Sequence, residues 1–273
     1  MRHLILSIIV ATIFVACRKD ATIYPDKPAA QQGVAILAHK AGGGGNNPYQ
    51  ENTLQAAIYG FSHLDGIEVD IQKSRDGTLW LYHDEVIENS DGKDKRIPGL
   101  TDNEIKAIMK HRQLTLNTLE EILEWQTAYN NTEKISLDIK SWLPTRFSNT
   151  QGYLVEVADA IGALAKKYNC GNRLLAECEN ATCLKRLEEK DASIQTFLTT
   201  FGDFDKGTYR ALKGNFNGIS FKYQDGNLSA EQIELLHKKG LHIQLWIIND
   251  SSGIVKAKNL LPDYIQTDNV KWQ

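Results

Sequence analysis

The stretch Ile67-Glu68-Val69-Asp70-Ile71 alternates strictly between apolar and acidic residues. Successive side chains of a β-strand point to opposite faces, so the three apolar residues share one face and the two carboxylates share the other. We expect the apolar face to pack against helices and the carboxylates to point into a barrel. Because a buried carboxylate must be paired or bind a metal ion, this strand predicts a charged interior site.

A second stretch, Ser-Leu-Asp-Ile-Lys at 136–140, repeats this pattern and places Asp138 and Lys140 on the inward face. Three inward carboxylates, Glu68, Asp70 and Asp138, would then meet near the C-terminal ends of their strands. Such a group of oxygen ligands suits a divalent cation, Mg²⁺ or Ca²⁺. The alternative is an internal network of salt bridges around Lys140.

Apolar β-rich runs alternate with amphipathic helical patterns along the rest of the chain. The predicted strands are Val34–His39, Gly66–Ile71, Lys134–Lys140, Arg173–Glu177, Ile194–Thr199, Gly218–Tyr223, His242–Ile248 and Asp263–Thr267. The predicted helices include Thr53–Phe61, Leu119–Tyr129, Gly152–Tyr168, Ala181–Lys190, Gly207–Leu212, Ala230–Lys239 and Ile254–Asn259. Eight strand–helix repeats predict an α/β fold, a closed (β/α)₈ TIM barrel, with an open doubly wound sheet as the alternative.

One region interrupts this alternation. Residues 72–117 contain a turn signal at 74–77, a short extra strand at Thr78–His83 and a short helix at 102–110. We interpret this region as a small insertion after strand two, lying over the mouth of the barrel, where loops carry function.

The composition fits one large domain. The chain has 273 residues, of which 42% are hydrophobic, and a formal net charge of −3. A slightly acidic chain without a basic, aromatic-rich stretch is not typical of a nucleic-acid-binding protein. We therefore expect no nucleic-acid partner.

The N-terminus resembles a bacterial lipoprotein signal. Residues 4–16 form an apolar run too short for an ordinary membrane span, followed by Cys17. We predict a signal peptide at 1–17 with lipidation of Cys17, a polar tether at 18–32 and a barrel domain at 33–273. The protein would be exported to the bacterial cell envelope and contact the membrane only through this lipid anchor. An ordinary secretory signal or a short anchor is the alternative.

Three cysteines remain after Cys17. Cys178 and Cys183 could pair in an oxidising space, whereas Cys170 would have no partner. Free, half-buried thiols are the alternative for all three.

Two of the seven histidines stand at strand ends. His39 ends the first predicted strand and is followed by the glycine-rich segment 41–45, and His83 ends the extra strand. Histidine exchanges protons near neutral pH, so this pair suits acid–base chemistry beside a metal. The other histidines of the domain are expected to be structural or exposed.

Two further positions are candidates for substrate contact. Asn52 or Thr53 can cap a helix, but capping does not explain Glu51. Trp246 ends a predicted strand, where an indole lines a pocket wall or packs in the core.

The whole set of motifs resembles the glycerophosphodiester phosphodiesterase family. The matching segments span residues 34–270 and are His39-Lys40-Ala41, Gln50-Glu51-Asn52-Thr53, Glu68-Val69-Asp70, Asp76-Gly77, His83-Asp84, Asp138-Ile139-Lys140, Trp246-Ile247-Ile248-Asn249 and Thr267-Asp268. The resemblance implies a barrel with an insertion after strand two and hydrolysis of a glycerophosphodiester to glycerol 3-phosphate and an alcohol.

The resemblance also implies roles for the site residues. Glu68, Asp70 and Asp138 would hold the divalent cation, and His39 and His83 would act as acid and base. Lys40 and Lys140 would neutralise phosphate charge, Lys140 as part of the catalytic group and Lys40 together with Glu51 and Trp246 in substrate binding.

Three residues depart from the family pattern. Lys40 replaces an arginine, Asp138 replaces a glutamate and Gln50 replaces a proline. Two other functions stay open. One is another two-histidine barrel esterase, like phosphatidylinositol-specific phospholipase C. The other, which Lys40 and Asp138 keep open, is a catalytically weakened lipoprotein that binds phosphodiesters or sugars.

Overall fold

The structure is a computed structural model that describes residues 33–90, 92–143, 149–224 and 226–272. The predicted signal peptide, Cys17 and the tether lie outside the described residues. The strands are β1 (Ala35–Ala38), β2 (Gly66–Lys73), β3 (Leu79–Leu81), β4 (Glu88–Ser90), β5 (Lys93–Lys95), β6 (Lys134–Ile139), β7 (Leu174–Cys178), β8 (Gln195–Thr200), β9 (Gly218–Lys222), β10 (His242–Trp246) and β11 (Tyr264–Thr267). The helices are α1 (Leu54–His63), α2 (Asp102–Arg112), α3 (Leu119–Ala128), α4 (Thr150–Tyr168), α5 (Ala181–Lys190), α6 (Phe204–Gly214), α7 (Ala230–Lys238) and α8 (Ser251–Asn259).

Eight parallel strands close into a barrel in the order β1-β2-β6-β7-β8-β9-β10-β11. Closure is visible in the register of β1, because Ala35 pairs with Tyr264 of the last strand and Leu37 pairs with Gly66 of the second. The strands alternate with helices, so the predicted (β/α)₈ barrel is confirmed.

The element boundaries differ from the predicted ones by a few residues. The first strand ends at Ala38, and His39 begins a short 3₁₀ turn instead of ending the strand. Helices α6 and α8 begin three residues earlier than predicted because Asp203 and Asp250 cap them, accepting from the backbone N–H of Lys206 and Gly253.

In its described residues, the interruption at 72–117 contains three short strands, a 3₁₀ turn at Ile97–Gly99 and α2. Strand β3 runs antiparallel to the end of β2, with Gln72 opposite Trp80, and β4 and β5 form a separate hairpin. This region has its own apolar cluster, formed by Trp80, Ile87, Ile97, Ile105, Ile108 and Met109. The insertion therefore has a small apolar core of its own, in addition to the pairing of β3 with the end of β2.

The barrel interior changes character along its axis. Leu37, Leu175 and Phe197 fill the end near the N-termini of the strands. Towards the other end, the inward positions carry polar and charged side chains. Among the helices that the structure describes, none is both long enough and apolar enough to cross a membrane.

Candidate active site

The three predicted ligands meet at the C-terminal mouth of the barrel. Strands β2 and β6 are neighbours in parallel register, with Asp70 opposite Asp138. One carboxylate oxygen from each of Glu68, Asp70 and Asp138 lies within 4.8 Å of the others. The alternation in the sequence therefore predicted the inward faces of both strands.

Lys140 partly compensates the charge of this cluster. Its Nζ lies 2.9 Å from Asp70 Oδ1 and 2.5 Å from Asp138 Oδ2. Burial alone would lower the pKa of Lys140, but the neighbouring Asp138 and Asp70 carboxylates raise it by more than burial lowers it. The net shift of the pKa is therefore upward, and the ammonium stays charged. The predicted salt bridges around Lys140 and the predicted acidic cluster are thus both present.

The carboxylates differ in the direction in which their pKa values are shifted. Burial is the largest influence on Asp70, yet Lys140, His83 and His39 outweigh it and lower its pKa. Burial, aided by Asp70, raises the pKa of Asp138 despite its bond to Lys140. The single lysine therefore does not compensate all three carboxylates equally: it lowers the pKa of Asp70 but does not prevent the rise at Asp138.

Glu68 is the least compensated member of the cluster. It is 1% exposed, and burial followed by Asp70 and Glu177 raises its pKa well above the ordinary value. Its Oε2 accepts the Lys40 backbone N–H at 2.8 Å, whereas its buried Oε1 has no partner among the described residues. An orphaned carboxylate oxygen beside two more carboxylates fits a bound divalent cation.

His39 is held beside Glu68 by the last strand. Its Nδ1 lies 2.6 Å from Asp268 Oδ1, and its Nε2 lies 3.7 Å from Glu68 Oε2. Burial opposes ionisation of Asp268, but the hydrogen bond from His39 lowers its pKa, aided by Asn249, which donates at 2.6 Å. A charged Asp268 thus orients the imidazole with Nε2 towards the cluster.

His83 lies after β3, on the insertion side of the mouth. Its Nδ1 is 2.9 Å from Asp84 Oδ1, and its ring meets Trp142 edge-on at 5.9 Å. The same indole lies 5.2 Å from Lys140 Nζ. Both histidines are therefore near the acidic cluster, each with Nδ1 bonded to a carboxylate.

The turn after His39 explains the glycine-rich segment. Lys40 and Ala41 have φ of 51° and 63°, and a Cβ at Gly43 would lie 2.4 Å from the Glu51 Cα. This close approach brings Lys40 Nζ to 3.1 Å from Glu51 Oε2. Glycine at 43 is required by the packing of the two loops.

Asn52 does not cap a helix but hydrogen-bonds to Asp70. Thr53 caps α1, while Asn52 Nδ2 donates to Asp70 Oδ2 at 2.7 Å and Asn52 Oδ1 accepts the Asp70 N–H at 3.1 Å. Gln50, at the family's proline position, bonds both backbone groups of Thr115. The segment 50–53 therefore joins the acidic cluster to the insertion.

Trp246 stands apart from the acidic cluster. It is half-buried, its ring lies 5.7 Å from that of Phe201, and Lys222 Nζ lies 5.9 Å from its ring. In the described residues no hydrogen bond, ion pair or ring contact joins Trp246 to the carboxylates or histidines of the site. It lines the β8–β10 side of the mouth.

Glu177 was not identified from the sequence as a site residue. It lies below the cluster and accepts hydrogen bonds from Ser136 at 2.9 Å, from Gln266 at 2.7 Å and from Ser220. Burial, aided by Asp138, raises the pKa of Glu177 to about 7. The alternation used for β2 and β6 also applies to β7, where Leu175 and Glu177 share the inward face, so a signal was available.

The closed barrel with a charged centre at its C-terminal mouth places the chain among the (β/α)₈ barrel enzymes. Residues 39–271 match the model of the glycerophosphoryl diester phosphodiesterase family, and the chain belongs to that family.

Several known proteins are similar over most of their length. The Bacillus subtilis (strain 168) protein YhdW, a candidate glycerophosphodiester phosphodiesterase by name, is 22% identical over 244 residues, covering 85% of this chain and 93% of that protein. The crystal structure of the glycerophosphodiester phosphodiesterase of Thermotoga maritima is 24% identical, with a TM-score of 0.65, and covers 89% of this chain and 97% of that one. An Oleispira antarctica phosphodiesterase in complex with the product sn-glycerol-3-phosphate is 21% identical, with a TM-score of 0.67 and coverage of 86% and 92%.

Proposed function

We propose that this enzyme hydrolyses glycerophosphodiesters to glycerol 3-phosphate and an alcohol, with a divalent cation and two histidines. The observation that carries the proposal is the unpartnered Glu68 Oε1 within three converging carboxylates, flanked by His39 and His83. The product bound to the Oleispira antarctica relative supports glycerol 3-phosphate as the product here.

Glu68, Asp70 and Asp138 would hold the cation, because their three carboxylates converge and Glu68 Oε1 has no partner among the described residues. A bound Mg²⁺ or Ca²⁺ would polarise the phosphoryl oxygen as a Lewis acid. The role of the carboxylate cluster is therefore to bind a cation and not to stabilise the fold.

The two histidines would move the protons. Asp268 accepts from His39 Nδ1, so Nε2 is left to exchange a proton with an attacking or leaving oxygen. Asp84 holds His83 in the same way on the insertion side of the mouth. Phosphoester hydrolysis needs one proton acceptor and one proton donor, and these histidines supply the pair.

The lysines would receive the phosphate. Lys140 is already fixed between Asp70 and Asp138, which places a permanent positive charge at the cluster. Lys40 lies beside it through its backbone bond to Glu68, and its ammonium is held by Glu51. We assign Lys40, Glu51 and Trp246 to substrate binding, with Trp246 on the far side of the mouth.

Turnover of glycerophosphocholine and glycerophosphoethanolamine tests the proposal. We expect release of glycerol 3-phosphate from the purified protein with Mg²⁺ or Ca²⁺, and loss of release with EDTA. Chelator-insensitive cleavage would favour a metal-independent esterase of the phospholipase C kind. Binding without turnover would favour a weakened binding protein.

We also propose that the protein is an exported lipoprotein of the bacterial cell envelope, anchored through Cys17. The sequence around Cys17 supports this. In cells, Cys17→Ser should move the protein from the membrane fraction to the soluble or unprocessed fraction. Unchanged fractionation and mass of the variant would contradict the proposal.

A further inference from the structure

His83 lies at the rim of the mouth, where burial does little to fix its position. Its side chain is 36% exposed, and that of its partner Asp84 is 66% exposed. His39, the other proposed acid–base residue, is only 10% exposed. Because exposed ion pairs contribute little to order, the position of His83 depends on how its backbone is held.

One buried side chain holds the backbone on both sides of His83. Gln72 Nε2 donates to the carbonyl oxygens of Tyr82 and Asp84, each at 2.9 Å. These two residues immediately precede and follow the histidine, so a single amide group fixes both ends of this short segment. Gln72 is itself completely buried and is therefore a rigid anchor for an exposed loop.

Gln72 belongs to the strand that supplies two of the proposed cation ligands. It follows Glu68 and Asp70 at every second position of β2, so the three side chains share one face of the strand. The backbone oxygen of Asp70 also accepts the Tyr82 N–H at 3.0 Å. The same strand thus sets the positions of the carboxylates and of the loop that carries His83.

Stability of the fold does not by itself explain an amide at position 72. The Gln72 Oε1 atom is buried and has no partner among the described residues. A buried polar atom without a partner costs about 1–3 kcal/mol, which offsets the contribution of two neutral hydrogen bonds, about 0.5–1.5 kcal/mol each. An apolar side chain of similar length would fill this space without that cost, so the amide serves to position the loop.

We propose that Gln72 is a positioning residue that holds His83 where its proton transfer requires it. Asp84 bonds the imidazole Nδ1 and Trp142 meets the ring edge-on, so these two restrain the ring while Gln72 restrains the backbone that carries it. A displacement of about 1 Å at a reacting group can lower the rate about 10²-fold. This inference rests on the proposed phosphodiesterase function.

Gln72→Met tests the inference, because it removes both hydrogen bonds and keeps the length of the side chain. We expect kcat for glycerophosphoethanolamine with saturating Mg²⁺ or Ca²⁺ to fall about 10- to 100-fold, and KM to change by less than about twofold. In the His83→Ala background the same substitution should lower the remaining kcat by less than about twofold. An unchanged kcat in Gln72→Met, or equal losses in both backgrounds, would overturn the inference.

Gln126→Met is the matched control. Gln126 is equally buried, and its Nε2 donates to Asn131 Oδ1 at 2.9 Å and to the Glu133 backbone oxygen at 3.0 Å. Its Oε1 likewise has no partner among the described residues. This amide anchors the loop before β6, at the end of the barrel opposite the mouth.

The two methionine variants should lose similar amounts of thermal stability in circular dichroism melts, but only Gln72→Met should lose kcat. A similar loss of kcat in Gln126→Met would assign the effect to stability and overturn the inference. If Gln72→Met does not fold, Gln72→Asn replaces it. The shorter side chain keeps a buried amide but cannot reach both carbonyl oxygens, so the same loss of kcat is expected.

An NMR measurement decides the inference even if no glycerophosphodiester is hydrolysed. In protein with isotope-labelled histidine, the ring signals of His83 are identified by their loss in His83→Ala. They should shift and broaden in Gln72→Met and stay unchanged in Gln126→Met. Unchanged His83 signals in Gln72→Met would contradict the positioning role, whereas absence of turnover in the wild type would contradict only the phosphodiesterase proposal.

Discussion

Two carboxylates at opposite ends of the barrel, the half-buried Asp263 and the buried Glu68, behave in opposite ways. Asp263, just before β11, accepts hydrogen bonds from the Ile243 N–H at 2.8 Å, from His242 at 2.7 Å and from His237 at 2.9 Å. Burial opposes its ionisation, but these donors lower its pKa. Glu68, at the C-terminal mouth, has an orphaned oxygen and carboxylate neighbours, and its pKa is raised.

The difference separates stability from function. The three donors around Asp263 stabilise its charge and fasten the N-terminal ends of β10 and β11. Around Glu68 the fold instead gathers like charges, which costs stability unless a ligand compensates. In barrels of this class the C-terminal face carries the chemistry and the opposite face carries the stability.

The largest expected effect is on kcat, and it distinguishes the histidines at the C-terminal mouth of the barrel from those at the N-terminal end. His39→Ala and His83→Ala should each reduce kcat by about 10²- to 10⁴-fold, because each removes an acid or base at the mouth. His237→Ala, at the Asp263 end, should change kcat by less than about twofold. Circular dichroism melts should show all three variants folded, and wild-type turnover in His83→Ala would contradict the acid–base pairing.

The next effect concerns the cation. Saturating Mg²⁺ or Ca²⁺, at a hundredfold excess over the dissociation constant, should stabilise the protein by about 2.7 kcal/mol in chemical denaturation. Glu68→Gln should lose most of this gain, whereas Asp263→Asn should retain it. A wild-type stability unmoved by either ion and by EDTA would count against the site.

A smaller effect should have opposite signs at the two ends. In EDTA at pH 8, Glu68→Gln removes a carboxyl group whose ionisation is opposed by burial and by Asp70, and it should raise the free energy of unfolding by about 1 kcal/mol. Asp263→Asn weakens charge-assisted hydrogen bonds and should lower it by about 1–3 kcal/mol. Urea denaturation of both variants measures this, and destabilisation by Glu68→Gln would show that Glu68 also serves the fold.

The sequence predicted those parts of the site that depend on a local period. Glu68, Asp70, Asp138 and Lys140 point inward because residues two apart share a strand face, and the structure confirms this. Glu177 follows the same rule and could have been identified. The eight-strand alternation similarly identified the barrel.

Contacts between distant residues could not be predicted in this way. Asp268 reaches His39 across 229 positions because the barrel closes, and the Trp142 ring meets that of His83 because the insertion lies beside the end of β6. Such contacts follow from the tertiary structure, for which a single sequence carries no local signal.

The smallest expected effect is a pH dependence at the Asp263 end. The hydrogen bond that His242 donates to Asp263 raises the pKa of His242 above its unfolded value of about 6.5. A group whose pKa is raised on folding contributes its full stability below the unfolded pKa and loses it as the pH rises through the folded pKa. The charged contribution of His242 should therefore be present at pH 5.5 and absent at pH 8.5.

His242→Gln isolates this contribution, because glutamine can keep a neutral hydrogen bond to Asp263. Since the His242 side chain is 45% exposed, solvent screening limits the charge contribution to about 0.5 kcal/mol. We expect the wild type to exceed His242→Gln in unfolding free energy by about that much more at pH 5.5 than at pH 8.5. A difference in unfolding free energy that is independent of pH, or larger at pH 8.5, would show that His242 acts by packing and not by charge. Charge stabilisation at the N-terminal end of the barrel would then no longer distinguish that end from the C-terminal mouth.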